Sequence, residues 1–223
     1  AAEALDPVRA RFPGASFTIL ASGGEVSFHA TARAARKAAA ETELAALKAA
    51  TLAAAGRWAY GEGDDTLESV LGARLKRARL SVAVAESCTG GLLGGRLTSV
   101  PGSSAWFRGG VIAYDNAVKT KLLGVSAALI GKRGAVSEEC AKAMAAGARK
   151  AVGADIGVSI TGVAGPDGGT KDKPVGRVHI AVSGPGALER AKRLDILGPR
   201  DAVRARAAGG ALALLKETLD ALA

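Results

Sequence analysis

One stretch constrains this chain more than any other: Ala83-Val84-Ala85-Glu86-Ser87-Cys88-Thr89-Gly90-Gly91. The apolar run Leu80 to Ala85 ends in a polar cluster, passes two glycines and enters a helix-patterned segment, Leu92 to Val100. This order reads as a buried strand, a sharp turn and a helix. A turn of this kind sets Ser87 or Thr89 at a helix N-terminus. Free backbone N–H groups and the helix dipole there favour an anion or a developing oxyanion. Three roles fit the hydroxyls: a phosphate cradle, a nucleophile, or a plain helix N-cap.

The rest of the C-terminal part repeats the alternation. Thr66 precedes a helix pattern (Leu67, Val70, Leu71, Leu75) that leads into the strand before Glu86. Strands are expected at Gly110–Tyr114, Ile156–Ile160 and Val175–Val182, and around Arg193–Leu197. Helices are expected from Asn116, from Ser137 to about Val152 (stopped by Gly153), and from Asp201 to Ala221. Alternating strands and helices from residue 66 to 223 predict one α/β domain with a central sheet. Upstream, Phe17–Leu20 and Glu25–Phe28 flank a Ser22-Gly23-Gly24 turn and predict a hairpin. An alanine-rich helix follows, about Thr31 to Ala55, ended by Gly56. This small α+β region is expected to be an accessory domain, residues 1–62, with the main domain at 63–223. The glycine- and acid-rich segment from Trp58 to Asp65 carries the boundary.

Charge is uneven along the chain. The formal net charge is +9, with 7 basic and 6 acidic residues up to Glu62 and 23 basic and 15 acidic beyond it. A basic half suits nucleic acid or a phosphorylated substrate. The cations stand singly or in pairs with few aromatics between them, and no RRM, KH GxxG or zinc-finger signature is present, so nucleic acid is not expected as a partner. No uncharged apolar run is long enough to cross a bilayer, and the N-terminus has no apolar signal core. Two cysteines suggest a reducing compartment. The chain is therefore expected to be cytoplasmic and free of membrane. Its first residue, Ala1, is compatible with a fragment of a longer protein.

Several chemistries can be set aside. His29 and His179 are isolated and Cys88 and Cys140 form no CxxC, so no metal site is expected. A Ser-His-Asp triad lacks a histidine at a loop or strand end, and neither GxGxxG nor a P-loop is present. What remains is hydroxyl, lysine and glycine chemistry. Three expected strand ends carry polar groups: Glu86-Ser87, Tyr114-Asp115 and Thr161-Gly162. Ligands of open α/β sheets bind outside the carboxyl ends of strands, so these three segments can converge. Lys119, five residues after Tyr114, reads either as a base leaning over that cleft or as a surface lysine. The segment from Thr161 to Gly169 reads as a backbone-amide nest or a flexible loop, and Arg200 as a phosphate clamp or a solvated arginine.

Taken together, six segments resemble one family. They are Ala85–Gly91, Pro101–Phe107, Tyr114–Asn116, Gly134–Glu138, Thr161–Gly169 and Lys173–Gly176. In order and spacing they resemble the C-terminal domain of the CinA family, which includes stand-alone nicotinamide mononucleotide deamidases. The match covers about residues 64 to 221, and residues 1 to 62 resemble part of that family's KH-like middle domain. The resemblance implies a three-layer α/β/α fold and, in longer members, a further N-terminal domain. It implies hydrolysis of the carboxamide of nicotinamide mononucleotide to the acid and ammonia, without metal or cofactor, in a homo-oligomer. Ser87 is implied as nucleophile and Lys119 as base, with Tyr114 nearby; Glu86, Thr89, Gly90, Thr161, Gly162, Gly165 and Arg200 are implied in substrate binding. The competing expectation is an interaction module of competence or recombination machinery with no catalysis. An ordinary lysine is neutral only about once in 2,500 at pH 7, so a lysine base requires a site that lowers its pKa.

Overall fold

The computed structural model describes residues 2–22 and 24–222. The chain forms two compact units that divide between Gly63 and Asp64.

In the first unit, α1 (Ala2–Arg11) precedes an antiparallel hairpin of β1 (Ser16–Ser22) and β2 (Glu25–Thr31), and α2 (Lys37–Ala55) follows. Leu5 and Val8 of α1 and Leu47 of α2 are buried, and the two helices pack together. Phe17 and Phe28 stack across the hairpin with ring centroids 5.4 Å apart. Gly23 of the expected turn lies outside the described residues. Two features depart from the sequence reading. Thr31 pairs with Ser16 at the end of β2, so α2 starts at Lys37 and not at Thr31. The N-cap residue, Arg36, makes no capping hydrogen bond, which is why alanine-rich propensity alone could not place the start. Helix α1 was not anticipated. Pro7 lies inside it and removes a helical donor.

The second unit contains α3 (Leu67–Ala78), β3 (Val82–Glu86), α4 (Leu92–Thr98), β4 (Phe107–Ile112), α5 (Asn116–Leu123), α6 (Ala127–Arg133), α7 (Glu138–Val152), β5 (Ile156–Gly162), β6 (Arg177–Ser183), β7 (Glu189–Asp195) and α8 (Arg200–Asp220). Its five strands form one mixed sheet in the order β4-β3-β5-β6-β7. Strands β4 and β5 run parallel to β3 on either side of it, and β6 and β7 add antiparallel. Helix α7 packs along one face, backed by α5 and α6; α8, with α3 and α4, covers the other. The result is a three-layer α/β/α domain. Because the chain leaves β3 for β4 on one side and later returns at β5 on the other, the carboxyl end of β3 is a topological switch point, the place where open α/β sheets bind ligands.

Local signals explain several boundaries. Thr66 and Ser69 exchange hydrogen bonds in a capping box that starts α3. The Ser137 side chain accepts from the Cys140 N–H to start α7, and Gly153, in the left-handed region, ends it. Small residues let α7 lie close on the sheet. A Cβ added at Gly157 would sit 1.9 Å from the Ala145 carbonyl oxygen, and one at Gly147 would sit 2.0 Å from that of Leu123. Three strand expectations need correction. Strand β4 spans Phe107–Ile112, so Tyr114 lies two residues beyond it. Strand β6 begins at Arg177, after Gly176 bonds back to Val163. Strand β7 spans Glu189–Asp195 rather than 193–197; it is an edge strand dominated by charged residues and shows no apolar run. Helix α6 was not anticipated.

Candidate active site

The period-2 alternation of β3 distributes its side chains. Ala83 and Ala85 join the apolar cluster of Leu123, Cys140 and Met144 on the α5 and α7 side. Val84 and Glu86 face α4, where both line the space beside Gly94. The Ser87 N–H donates to the Ile160 carbonyl (3.0 Å), which continues the β3–β5 ladder one residue past the strand. Ser87 is therefore turned to the α5 side, opposite Glu86.

Helix α5 brings Lys119 to meet it. Asp115 caps this helix, its side chain accepting from the Ala117 N–H at 2.7 Å. The Lys119 side chain runs inward and is 1 % exposed. Its Nζ donates to the carbonyls of Ala113 (2.8 Å) and Tyr114 (3.2 Å) and lies 3.2 Å from Ser87 Oγ. Burial lowers the Lys119 pKa from its ordinary value, opposed by Cys140, Asp115 and Cys88. The two cysteines oppose it only as thiolates, and burial raises both thiols, Cys88 to about 11. With two N–H groups spent on carbonyls, a neutral amine has its lone pair left for the Ser87 hydroxyl. This is the geometry of a nucleophile and its base.

Glu86 serves the helix instead of a ligand. Its carboxylate, 1 % exposed, accepts from the N–H groups of Gly91 (3.0 Å), Leu93 (3.1 Å) and Gly94 (2.8 Å). The anion-favouring start of α4 is thus filled by the chain's own carboxylate, reached across a turn in which Gly90 (φ 61°) and Gly91 (φ 103°) take the left-handed region. Gly91, not Ser87 or Thr89, occupies the N-cap position, so neither hydroxyl caps this helix. Thr89 is buried and its hydroxyl has no hydrogen-bond partner. The Cys88 and Thr89 N–H groups donate to no other residue among the described ones, and the Cys88 N–H faces its own thiol.

The other expected residues lie around these strand ends. Tyr114 follows β4, is 59 % exposed and accepts a hydrogen bond at its phenol oxygen from Arg200 Nη2 (2.9 Å). Arg200 Nη1 donates to the Gly165 carbonyl (2.6 Å), in the segment after β5. Arg200 therefore ties together the segments that leave the two strands flanking β3. Thr161 is buried with its hydroxyl donating to the Ala135 carbonyl (2.8 Å). Gly162 ends β5, and a Cβ there would lie 2.7 Å from the Arg177 carbonyl oxygen. The segment that begins at Thr161 is anchored and not free: the Val163 N–H bonds to Arg177, and a Cβ on Gly165 would lie 2.5 Å from Val175 Cγ1. Among the described residues no group of histidine, cysteine and carboxylate side chains could hold a metal ion, and no helix is long and apolar enough to cross a membrane.

Sequence reasoning missed Arg204. Its Nε donates to the Cys88 carbonyl (3.2 Å) and its Nη2 to that of Thr89 (2.9 Å). The available signal was its spacing of four from Arg200, which puts both arginines on one face of α8.

Comparison with known proteins identifies the lineage. Residues 64–219 match the family model "CinA C-terminal domain". A CinA-like protein of Synechococcus sp. is 49% identical over 200 residues, 89% of this chain and 48% of that protein. One of Frankia casuarinae is 46% identical over 214 residues, 96% of this chain and 49% of that protein. The chain thus spans about half the length of the curated relatives it matches. A solved CinA superfamily protein from Klebsiella pneumoniae superposes with a TM-score of 0.67 at 34% identity, covering 70% of this chain and 96% of that one. One from Escherichia coli gives 0.64 at 31%, covering 73% and 98%. The chain belongs to the CinA family, and its second unit is that family's C-terminal domain.

Proposed function

We propose that residues 64–223 hydrolyse the carboxamide of nicotinamide mononucleotide to the carboxylic acid and ammonia. The observation that carries this reading is the buried Lys119 amine, 3.2 Å from Ser87 Oγ and held by two carbonyls. Lys119 as neutral amine takes the Ser87 proton while Oγ attacks the carboxamide carbon. The tetrahedral oxyanion forms next to the Cys88 and Thr89 N–H groups, which donate to no other residue among the described ones. The Lys119 ammonium returns its proton to the leaving nitrogen, the C–N bond breaks, and ammonia departs from an acyl-Ser87. Water attacks the ester with Lys119 again as base, which releases the acid and restores the serine. Arg200 uses two of its five N–H groups in the contacts above and keeps donors for the substrate phosphate. Two free, buried cysteines fit a reducing compartment, and on this reading the enzyme works in the cytoplasm.

Ammonia release from nicotinamide mononucleotide tests the proposal. Wild type is expected to release it and a folded Ser87→Ala protein is not. No release by wild type would favour a non-catalytic interaction module, whereas retained turnover in Ser87→Ala would move the nucleophile to Thr89.

A further inference from the structure

The turn that presents Ser87 is held from the far side of the sheet. Arg204 lies on α8, in the helical layer opposite α5 and α7. Its guanidinium forks onto the carbonyls of Cys88 and Thr89, the two residues directly after the nucleophile. In a trans peptide the N–H points opposite the C=O. Drawing the Cys88 carbonyl toward α8 therefore turns the Thr89 N–H away from α8. Drawing the Thr89 carbonyl the same way fixes the next peptide plane, whose Gly90 N–H donates to the Ser87 carbonyl (3.1 Å). That bond in turn fixes the plane carrying the Cys88 N–H. Arg204 thus holds two successive peptide planes directly, the Thr89 carbonyl also accepting from the Leu92 N–H (3.4 Å), and the third plane follows through the Gly90–Ser87 bond. The Cys88 and Thr89 N–H groups, next to Ser87, donate to no other residue among the described ones. Asp201, 3.7 Å from Arg204 Nη1, is almost fully exposed, so the fork and not this ion pair sets the guanidinium's place.

We propose that Arg204 is a positioning residue of the site. By gripping the Cys88 and Thr89 carbonyls it aims the backbone N–H groups that receive the developing oxyanion and keeps Ser87 in reach of Lys119. The substrate in this proposal rests on the deamidation reading; the positioning itself rests on the fork. A fork is required, because a lysine ammonium on one flexible stem does not reproduce two parallel, planar bonds.

The test compares wild type with Arg204→Ala and Arg204→Lys, per mole of folded protein and well below each melting temperature. It measures ammonia release from nicotinamide mononucleotide and, separately, the rate at which a fluorophosphonate labels Ser87. In both variants kcat and the labelling rate are expected to fall about 10²-fold. KM should stay within about threefold, since the loss belongs to the transition state. Added guanidinium ion should restore part of the Arg204→Ala rate, and ammonium ion should not. Near-normal kcat in Arg204→Ala, or in Arg204→Lys, overturns the proposal. If wild type is labelled at Ser87 but releases no ammonia, the substrate reading alone falls and the labelling rates decide on Arg204. If wild type is neither labelled nor active, both fall.

Discussion

At the scale of single residues, the site depends on where two ionisable side chains are buried. Glu86 and Lys119 are both 1 % exposed, yet they do opposite work on opposite faces of β3. Glu86 replaces the missing acceptors at the start of α4, as a charge-assisted cap for three N–H groups. Glu86→Gln presents an NH₂ to donors on one side, and a buried unsatisfied pair of this kind costs about 1–3 kcal/mol. Urea denaturation should show that loss, with a denaturation slope like that of wild type. Stability equal to wild type would mean the cap is unimportant. Residue type and position left Ser87 beside Thr89 and left Lys119 between base and surface lysine; the resemblance to the CinA family singled out Ser87 and Lys119, and the strand ends pointed to where they converge. It could not separate a Glu86 that binds a ligand from one that caps a helix, because both need the same carboxylate at the same strand end. Nor could it find Arg204, whose partners are backbone carbonyls that carry no residue identity.

At the scale of elements, the pair meets because α7 sits close on β3 and β5 and α5 packs against α7. Gly157 and the alanines of α7 permit that approach, and Cys140 and Met144 of α7 pack under the site. Gly157→Ala would drive a methyl group against the Ala145 carbonyl oxygen and lift α7. Overpacking of this kind costs about 1–3 kcal/mol. A lowered melting temperature, with loss of activity in proportion to displacement of Lys119, is expected; an unchanged melting temperature would contradict the close-packing account. Apart from α6 and the charged strand β7, helix and strand order in the second unit was legible from apolar periodicity. Boundaries failed where that signal was weak: β7, an edge strand dominated by charged residues, and α2, an alanine run without a capping residue.

At the scale of the whole molecule, the chain consists of two compact units, Ala1–Gly63 and Asp64–Ala223. The solved relatives from Klebsiella pneumoniae and Escherichia coli are almost wholly covered by about 70% of this chain. The net charge of +9 lies mostly in the second unit, and the account assigns it to a phosphorylated small molecule. Nicotinamide riboside, which lacks the phosphate, should show a much lower kcat/KM than the mononucleotide, and equal values would remove phosphate recognition from the account. The central claim, a buried neutral lysine acting as base for Ser87, is tested most directly by the pH–rate profile of ammonia release, measured for wild type beside Lys119→Arg. Burial lowers the Lys119 pKa, so the neutral fraction grows as pH rises through that lowered value. The rate should therefore rise with pH and level off well below the ordinary lysine value of 10.5. Lys119→Arg should be inactive at every pH, because arginine keeps its charge but does not give up its proton. Near-normal turnover in Lys119→Arg would show that position 119 supplies only a positive charge, and would contradict the account.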